Sequence, residues 1–249
     1  MKTVRHAVVT GGGRGIGRAV AAALSRGGLA VTVLGRNDDT LRDAVAKGDA
    51  SAWRRVDVTD SDALAASLED VGPVDILINN AGVADSAPFV KSDLAFFRRV
   101  MAVNFDSVVV ATRAVLPGMT ERGFGRIVSI ASLAGLKGYP YVSAYVASKH
   151  AVVGLTRALA LEVAKAGVTV NAVCPGYVDT DLVSDSVARI ATRSGRAPAD
   201  ILQQFTKDNP QGRLITPAEV ADAVVWLCAD GAASVNGQAI AISGGESAS

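Results

Sequence analysis

The sequence predicts an α/β fold with a doubly wound parallel sheet of about seven strands and helices on both sheet faces. Short runs rich in β-branched residues alternate with longer, Ala-rich stretches along the whole chain of 249 residues. The short runs lack the polar alternation of half-exposed strands, which indicates strands that are covered on both faces. No repeat, low-complexity tract or linker divides the chain, so a single domain over residues 1–249 is expected.

Strands and helices are predicted to alternate along the chain. The predicted strands are His6–Thr10, Ala30–Leu34, Ala52–Val56, Val74–Ile78, Arg126–Ile130, Thr169–Cys174 and Ala239–Ile242. The predicted helices are Arg14–Gly27, Asp38–Ala46, Ser61–Asp70, Asp93–Arg122, Val142–Ala166 and Pro217–Cys228. The longest stretch is expected to be interrupted near Asn104, because Asn is unfavourable inside a helix. The polar segment of about 181–212 follows the sixth strand and is predicted to be a small helical lid, with a surface insertion as the alternative.

Composition limits the range of partners. Lys and Arg total 25 and Asp and Glu total 24, so a net charge of +1 argues against a role in binding nucleic acid or membrane surfaces. Cys174 and Cys228 fit no metal spacing and no redox pair, and are expected to be reduced, buried thiols. Met1–His6 carries no signal-peptide pattern, and no apolar run approaches the ~18 residues of a membrane span. A cytoplasmic protein without a metal is therefore expected.

A glycine-rich loop joins the first predicted strand to the first helix. It reads Thr10-Gly11-Gly12-Gly13-Arg14-Gly15-Ile16-Gly17. Glycine lets the chain turn sharply and lets the backbone approach a pyrophosphate closely. The N-terminus of the following helix offers free N–H groups and the positive end of its dipole to that anion. The loop therefore predicts a dinucleotide site, with a tight turn that binds nothing as the alternative.

Tyr145 and Lys149 carry the strongest chemical signal. Their spacing of four residues places both side chains on one helix face. A neighbouring ammonium would stabilise the phenolate and lower the pKa of Tyr145, so that the phenol could exchange a proton with an alkoxide. Ser132 follows a strand by two residues and could hydrogen-bond a substrate oxygen as charge develops on it.

The glycine spacing matches the pattern T-G-x-x-x-G-x-G of the short-chain dehydrogenases/reductases, and the chain resembles the classical members of that family over almost its whole length. Asn104, Ser132, Tyr145 and Lys149 match the family's catalytic tetrad in order. The resemblance implies a Rossmann-like fold and hydride transfer, with Tyr145 as acid/base, Ser132 orienting the substrate, Lys149 binding the cofactor ribose and Asn104 holding a relay water. The chain departs from the family pattern at Ala131, where many relatives carry a second Ser.

The resemblance also implies which residues contact the cofactor. Asp57 and Val58 would lie at the adenine, and Asn80 and Gly82 along the ribose and nicotinamide. The full implied set is Gly11, Arg14, Gly15, Ile16, Gly17, Arg36, Asp57, Val58, Asn80, Gly82, Tyr145, Lys149, Pro175, Gly176, Val178 and Thr180.

The end of the second strand indicates the cofactor. An acidic residue there would bind the ribose 2′-OH of NAD, whereas a nearby Arg favours the 2′-phosphate of NADP. That position holds Gly35, and Arg36 follows, with Arg14 in the glycine loop. NADP(H) is therefore predicted. Asp38 is interpreted as the cap of the next helix, although a shifted register would bring it nearer the ribose and favour NAD.

The predicted substrate is a small carbonyl compound or its alcohol. The cofactor and nicotinamide segments resemble those of 3-oxoacyl-thioester reductases, 3-hydroxyacyl-CoA dehydrogenases and polyketide ketoreductases, which implies a β-keto substrate. The alternatives are a dehydrogenase of a cyclic, steroid-like or sugar alcohol, possibly NAD-dependent, and a non-catalytic NADP-binding regulator. The expected pocket is fairly apolar, which disfavours a sugar, and its side chains would be Leu133, Leu136, Tyr139, Tyr141, Leu182, Val183 and Val187.

The helix Val142–Ala166 is apolar around most of its circumference. Such a helix is buried on more than one side. One side can pack on the sheet and the other on a second subunit, so a homo-oligomer is predicted, with a tetramer favoured over a dimer by the family resemblance.

Overall fold

The computed structural model describes residues 4–248, apart from the side chain of residue 193. Residues 1–3, which belong to the N-terminal segment without a signal-peptide pattern, lie outside the described residues. The strands are β1 (His6–Thr10), β2 (Ala30–Gly35), β3 (Ala52–Arg55), β4 (Ile76–Asn79), β5 (Gly125–Ile130), β6 (Val168–Pro175) and β7 (Ala239–Ile242). All pair in parallel, in the order β3-β2-β1-β4-β5-β6-β7. The predicted doubly wound sheet is confirmed.

Helices connect the strands on both faces of the sheet. They are α1 (Gly15–Arg26), α2 (Asp38–Ala46), α3 (Ser61–Asp70), α4 (Leu94–Met101), α5 (Ser107–Glu121), α6 (Ser143–Val163), α7 (Asp181–Ser194), α8 (Pro198–Thr206) and α9 (Pro217–Cys228). Most bounds agree with the predicted ones within one or two residues. β4 begins two residues later than predicted, and the carbonyl of Val74 accepts a hydrogen bond of 2.6 Å from the Arg122 side chain.

Two apolar cores lie on opposite faces of the sheet, and successive strand residues pack alternately into one and the other. Val9 packs with Val20 of α1 and Val224 of α9 on one face of the sheet. Val8, its neighbour in β1, packs with Leu64 of α3 on the other face, where α5 also contributes side chains. Because neighbouring strand residues point to opposite faces, both faces of the sheet must be covered. The cysteines are free thiols, and both are buried.

α4 and α5 form one continuous helical segment through a single π-helical turn, Ala102–Asp106, which contains Asn104. The predicted interruption is therefore a change of hydrogen-bond pattern rather than a break. The segment Leu94–Glu121, of 28 residues, could cross a membrane by length and composition alone, which the sequence analysis did not expect. Its α5 part packs on α3, β4 and β5, as a core helix does. The cytoplasmic location stays a prediction.

Asn37, not Asp38, caps α2. The Asn37 side chain accepts hydrogen bonds from the backbone N–H groups of Asp39 and Thr40, at 2.9 and 3.1 Å. Asn37 has the extended backbone that a capping residue needs, whereas Asp38 is already helical. The capping prediction for Asp38 was wrong, and the Asp38 carboxylate instead lies 3.8 Å from Nε of Arg55.

The polar segment after β6 contains two helices, α7 and α8. α7 begins directly after Thr180, so it leaves the sheet at the carboxyl end of β6. Residues of both helices line the large cavity described below. That this segment closes over a substrate, and that the chain forms a single domain, both stay predictions.

Candidate active site

A cavity of about 1540 Å³ opens at the carboxyl ends of the strands. The loops that leave β1 to β6 all contribute to its lining. Parallel strands bring their carboxyl ends to one edge of the sheet, and ligands bind there in doubly wound folds. Ser132, Tyr145 and Lys149 of the predicted tetrad line this cavity, whereas Asn104 does not. The predicted cofactor contacts also line it, with the exception of Gly17.

The glycine loop is held in place by Asn80. Its side-chain amide donates to the carbonyls of Thr10 and Gly11, at 2.9 and 3.1 Å. A Cβ at Gly17 would overlap both that amide and the Gly11 carbonyl, so no larger residue fits there. Gly11 and Gly15 have positive φ values of 65° and 53°, which glycine adopts without strain. Asn80 therefore ties the end of β4 to the loop, a contact that the sequence did not reveal.

The loop fits a pyrophosphate. Arg14 occupies the N-cap position of α1 but makes no side-chain capping hydrogen bond there, and the first turn carries no acidic residue. The first N–H groups of a helix need a partner, and an anion can supply it. A negatively charged group at this helix end would meet no repelling carboxylate in the first turn.

Three arginines surround the far end of the cavity. Arg36 lies 3.8 Å from Asp57, Arg14 lies 3.7 Å from Asp181, and Arg55 belongs to the same lining. Side-chain exposures of 66% for Arg14 and 73% for Arg36 leave both guanidiniums accessible, and pairs this long and exposed are weak. A hydrogen bond from the Thr59 backbone, opposed by burial and helped by Arg36, lowers the pKa of Asp57. Arg55 pairs with Gly35 across β2 and β3 and was not among the cofactor residues predicted from the sequence.

Ser132, Tyr145 and Lys149 meet at the centre of the cavity. The Ser132 and Tyr145 side chains both line the cavity and lie close enough for Ser132 to affect the pKa of Tyr145. Nζ of Lys149 donates to the Ile130 carbonyl at 2.8 Å and lies 5.7 Å from the centre of the Tyr145 ring. Lys149 is 5% exposed, so its ammonium is largely removed from water.

Burial raises the pKa of Tyr145, and Ser132 opposes that rise. Burial also lowers the pKa of Lys149 to about 8. The spacing of Tyr145 and Lys149 in the sequence predicts that Lys149 lowers the pKa of Tyr145. In this structure the net direction is upward, because desolvation of the phenolate dominates and the ammonium is directed at the Ile130 carbonyl.

Asn104 lies beside this group but points elsewhere. Its Oδ1 accepts from the Val83 N–H at 2.9 Å, and its Nδ2 donates to the Val83 carbonyl and to the Ser148 hydroxyl, both at 3.0 Å. The Ser148 hydroxyl donates in turn to the Tyr145 carbonyl at 2.8 Å. Asn104 therefore connects the loop after β4 to helix α6, which carries Tyr145 and Lys149.

The other end of the cavity is aromatic and apolar. Leu133, Tyr139, Tyr141, Leu182 and Val183 line it, as predicted from the sequence. Leu136 and Val187 do not belong to the lining. Leu136 follows a 3-10 turn and is exposed, and Val187 is one residue, about 100° of helix, beyond the lining residue Ser186.

Two further aromatic residues were not named among the predicted pocket side chains, although both lie in the stretch 177–213 that was expected to supply substrate contacts. Tyr177 follows β6, and Phe205 lies in α8. Their rings stack at 4.5 Å between centroids, and both line the cavity. Phe205 could have been found from the sequence, because it is the one aromatic residue of the segment 181–212.

Comparison with known proteins identifies the family. The family model described as short chain dehydrogenase matches residues 5–191. The chain is 38% identical to cis-4-hydroxycyclohexanecarboxylate dehydrogenase of Sinomonas cyclohexanicum, over 98% of this chain and 97% of that protein. It is 39% identical to a putative ketoacyl reductase of Streptomyces coelicolor, over 96% of this chain and 95% of that protein.

A solved structure has the same fold. It is a variant of actinorhodin polyketide ketoreductase with NADPH, which superimposes with a TM-score of 0.93 at 36% identity and covers 99% of this chain and 98% of its own. The fold, the sequence motifs and the relatives all indicate the same family. The chain belongs to the short-chain dehydrogenase family, and it is an oxidoreductase of CH–OH groups that uses a nicotinamide cofactor.

Proposed function

We propose that this protein interconverts a ketone and a secondary alcohol with NADP(H), using Tyr145 as the acid/base. One observation carries the proposal. The Ser132 and Tyr145 side chains lie together on the wall of the cavity, where Ser132 is close enough to oppose the rise in the pKa of Tyr145, beside the buried ammonium of Lys149. A carbonyl oxygen that meets both hydroxyls would find one hydrogen-bond donor and one proton donor at the same point.

Each residue of the tetrad has a distinct part in the reduction. The bound nicotinamide supplies the hydride. Ser132 donates a hydrogen bond to the substrate oxygen, and Tyr145 gives it a proton. The Lys149 ammonium donates one N–H to the Ile130 carbonyl and has two more for the cofactor ribose. Its charge stabilises the phenolate that Tyr145 becomes when it gives up its proton.

Asn104 acts as a positioning residue in this proposal. Its side-chain oxygen and nitrogen are both engaged with Val83 and Ser148, so the side chain orients the loop after β4 and helix α6. Both N–H donors of the Asn104 amide are used, so a water that relays protons from Lys149, as the family resemblance implies, would have to donate to the second lone pair of Oδ1 or bind at the Asn104 backbone.

The arginine end of the cavity supports NADP(H) over NAD(H). A 2′-phosphate is a dianion that accepts several hydrogen bonds, and Arg36 and Arg14 offer exposed guanidiniums near the expected ribose. Asp38 is directed towards Arg55, which weakens the case for a carboxylate that holds the 2′-OH of NAD.

We propose a β-keto thioester or a related β-keto compound as the substrate. The ketoacyl reductase and the polyketide ketoreductase among the relatives favour this class. A cyclic alcohol is the second candidate, favoured by the stacked rings of Tyr177 and Phe205 on the cavity wall and by the cyclohexanecarboxylate dehydrogenase relative. A purely regulatory role has less support, because the whole tetrad is present.

We also propose a homo-oligomer, as the sequence predicted. Leu161 of α6 is 82% exposed, and Val109 of α5 is 37% exposed. α6 already packs against β6 with its buried residues, so these apolar side chains are free to meet a second copy of the chain.

Replacing Tyr145 by Phe should remove the proton donor and leave the ring. We expect Tyr145→Phe to lower kcat for acetoacetyl-CoA reduction about 10²–10⁴-fold, measured as NADPH consumption. The affinity for NADPH, measured by fluorescence titration, should change by about tenfold at most, because the hydroxyl contributes one neutral hydrogen bond of about 0.5–1.5 kcal/mol at most. His150→Ala is the control, since His150 is an exposed residue of the same helix. Near-normal turnover of Tyr145→Phe would contradict the assignment.

Replacing Arg36 by Ala should weaken NADPH binding selectively. A hydrogen bond to a charged group contributes about 1.5–3 kcal/mol, so we expect KM for NADPH to rise about 10- to 100-fold while KM for NADH stays unchanged. Arg54→Ala is the matched control, because the guanidinium of Arg54 donates to the carbonyl of Trp53 and Arg54 does not line the cavity. An equal rise for both cofactors would argue against a 2′-phosphate contact.

Sedimentation velocity tests the assembly. The wild-type chain should sediment as a multiple of its 25.4 kDa mass, and Leu161→Glu should shift the distribution towards smaller species because it buries a charge in the interface. A monomer at every concentration of the wild type would refute the oligomer.

A further inference from the structure

A buried carboxylate lies near the aromatic end of the cavity. Glu246 belongs to the turn that follows β7 and is 4% exposed. Its Oε1 accepts a hydrogen bond of 2.6 Å from the Tyr139 hydroxyl and lies 3.1 Å from Nζ of Lys137. A carboxylate is tolerated at this depth only when it is paired, and both of these partners come from the loop after β5 that also carries Ser132.

The backbone turn that presents Glu246 is closely packed. Gly244 and Gly245 have φ values of 62° and 102°, a region that L side chains rarely adopt. A Cβ at Gly244 would overlap the Asn209 side chain, and one at Gly245 would come within 3.2 Å of Pro210. The backbone of this turn therefore lies directly against Asn209 and Pro210, in the segment that follows α8.

The same carboxylate also borders the nicotinamide segment. A Cβ on Gly176 would lie 3.4 Å from Oε2 of Glu246, an ordinary van der Waals distance, so the carboxylate lies directly beside this backbone. Glu246 therefore lies between the loop after β5, the Pro175–Gly176 segment and the end of α8. None of the tetrad's roles uses this carboxylate.

Tyr139 connects Glu246 to the cavity wall, because its hydroxyl is bonded to Glu246 and Tyr139 lines the cavity. Its ring meets the Tyr177 ring edge-on, at 6.5 Å and 82°, and Tyr177 stacks on Phe205 of α8 at 10°. All three rings line the cavity. We call Tyr139, Tyr177 and Phe205 the aromatic wall. Burial and the hydrogen bond to Glu246 raise the pKa of Tyr139, so its hydroxyl stays a donor.

We propose that Glu246 is a positioning residue for substrate recognition: its hydrogen bond to Tyr139 fixes the aromatic wall against which the apolar body of the ketone lies, and keeps α8 over the cavity. The inference rests on the proposed function for the identity of the substrate as a ketone. Glu246 does not line the cavity and reaches it through Tyr139, so we expect it to act on substrate affinity rather than on hydride transfer.

Three variants separate this role from a purely structural one. Tyr139→Phe deletes the hydroxyl and keeps the ring, Glu246→Ala deletes the carboxylate, and Glu246→Gln keeps an oxygen that can accept from Tyr139. We expect the first two to raise KM for acetoacetyl-CoA about tenfold, as the loss of one charge-assisted hydrogen bond predicts. Their kcat and their KM for NADPH should stay within about twofold of wild type, and Glu246→Gln should recover most of the substrate affinity. Glu121→Ala, an exposed carboxylate at the end of α5, is the control.

Limited trypsin digestion provides a readout that does not need turnover. Lys207 follows α8 directly, so cleavage after Lys207 reports how firmly α8 is held. We expect several-fold faster cleavage there in Glu246→Ala and Tyr139→Phe, with unchanged rates at sites that do not contact Glu246 or Tyr139. If the wild type reduces no ketone, the proposed function fails while digestion still decides the role of Glu246.

Unchanged cleavage together with an unchanged KM would overturn the inference. Equal changes in kcat and in both KM values would overturn it as well, because they would indicate a general loss of structure. If Glu246→Ala does not fold, Tyr139→Phe decides the question, since it leaves Glu246 paired with Lys137.

Discussion

The candidate site depends on holding one lysine ammonium out of water at the carboxyl end of β5. Lys149 is 5% exposed and donates to the Ile130 carbonyl. A buried charge is costly, so the surrounding structure must hold it firmly. Gly135 makes this possible, because a Cβ there would come within 2.7 Å of the Lys149 carbonyl. The turn that carries Ser132 can therefore lie directly against α6 and bring Ser132 to Tyr145.

The elements around the lysine serve the same purpose. The π-helical turn directs the Asn104 side chain inward, where it binds Val83 and Ser148. Ser148 lies one residue before Lys149, so this contact sets the position of α6 against the loop after β4. The cavity then has two chemically different ends. The arginine end suits an anionic cofactor, and the aromatic wall suits an apolar substrate, with the Ser132–Tyr145 pair between them.

The fold and the motifs could be predicted because their signals are local. A strand, a glycine loop or a Tyr–Lys spacing can be recognised from a few consecutive residues. The π-helical turn could not be predicted, because its Asn104 contacts lie 21 and 44 residues away. Arg55 was missed because its place beside Gly35 follows from strand register. The direction of the Lys149 ammonium was missed because spacing alone does not show that the Ile130 carbonyl competes for it.

The pH dependence of ketone reduction tests this account most directly. The quantity to measure is kcat/KM for NADPH at saturating acetoacetyl-CoA, which reports ionisations of the enzyme before the cofactor binds. Because burial lowers the pKa of Lys149 to about 8 and raises that of Tyr145, Lys149 should lose its proton first as pH rises. The account predicts that kcat/KM is constant below that pH and falls above it, since Lys149 then loses its charge and one of the N–H donors that it offers to the cofactor. A value of kcat/KM that stays constant to about pH 10, near the pKa of an ordinary lysine, would contradict it.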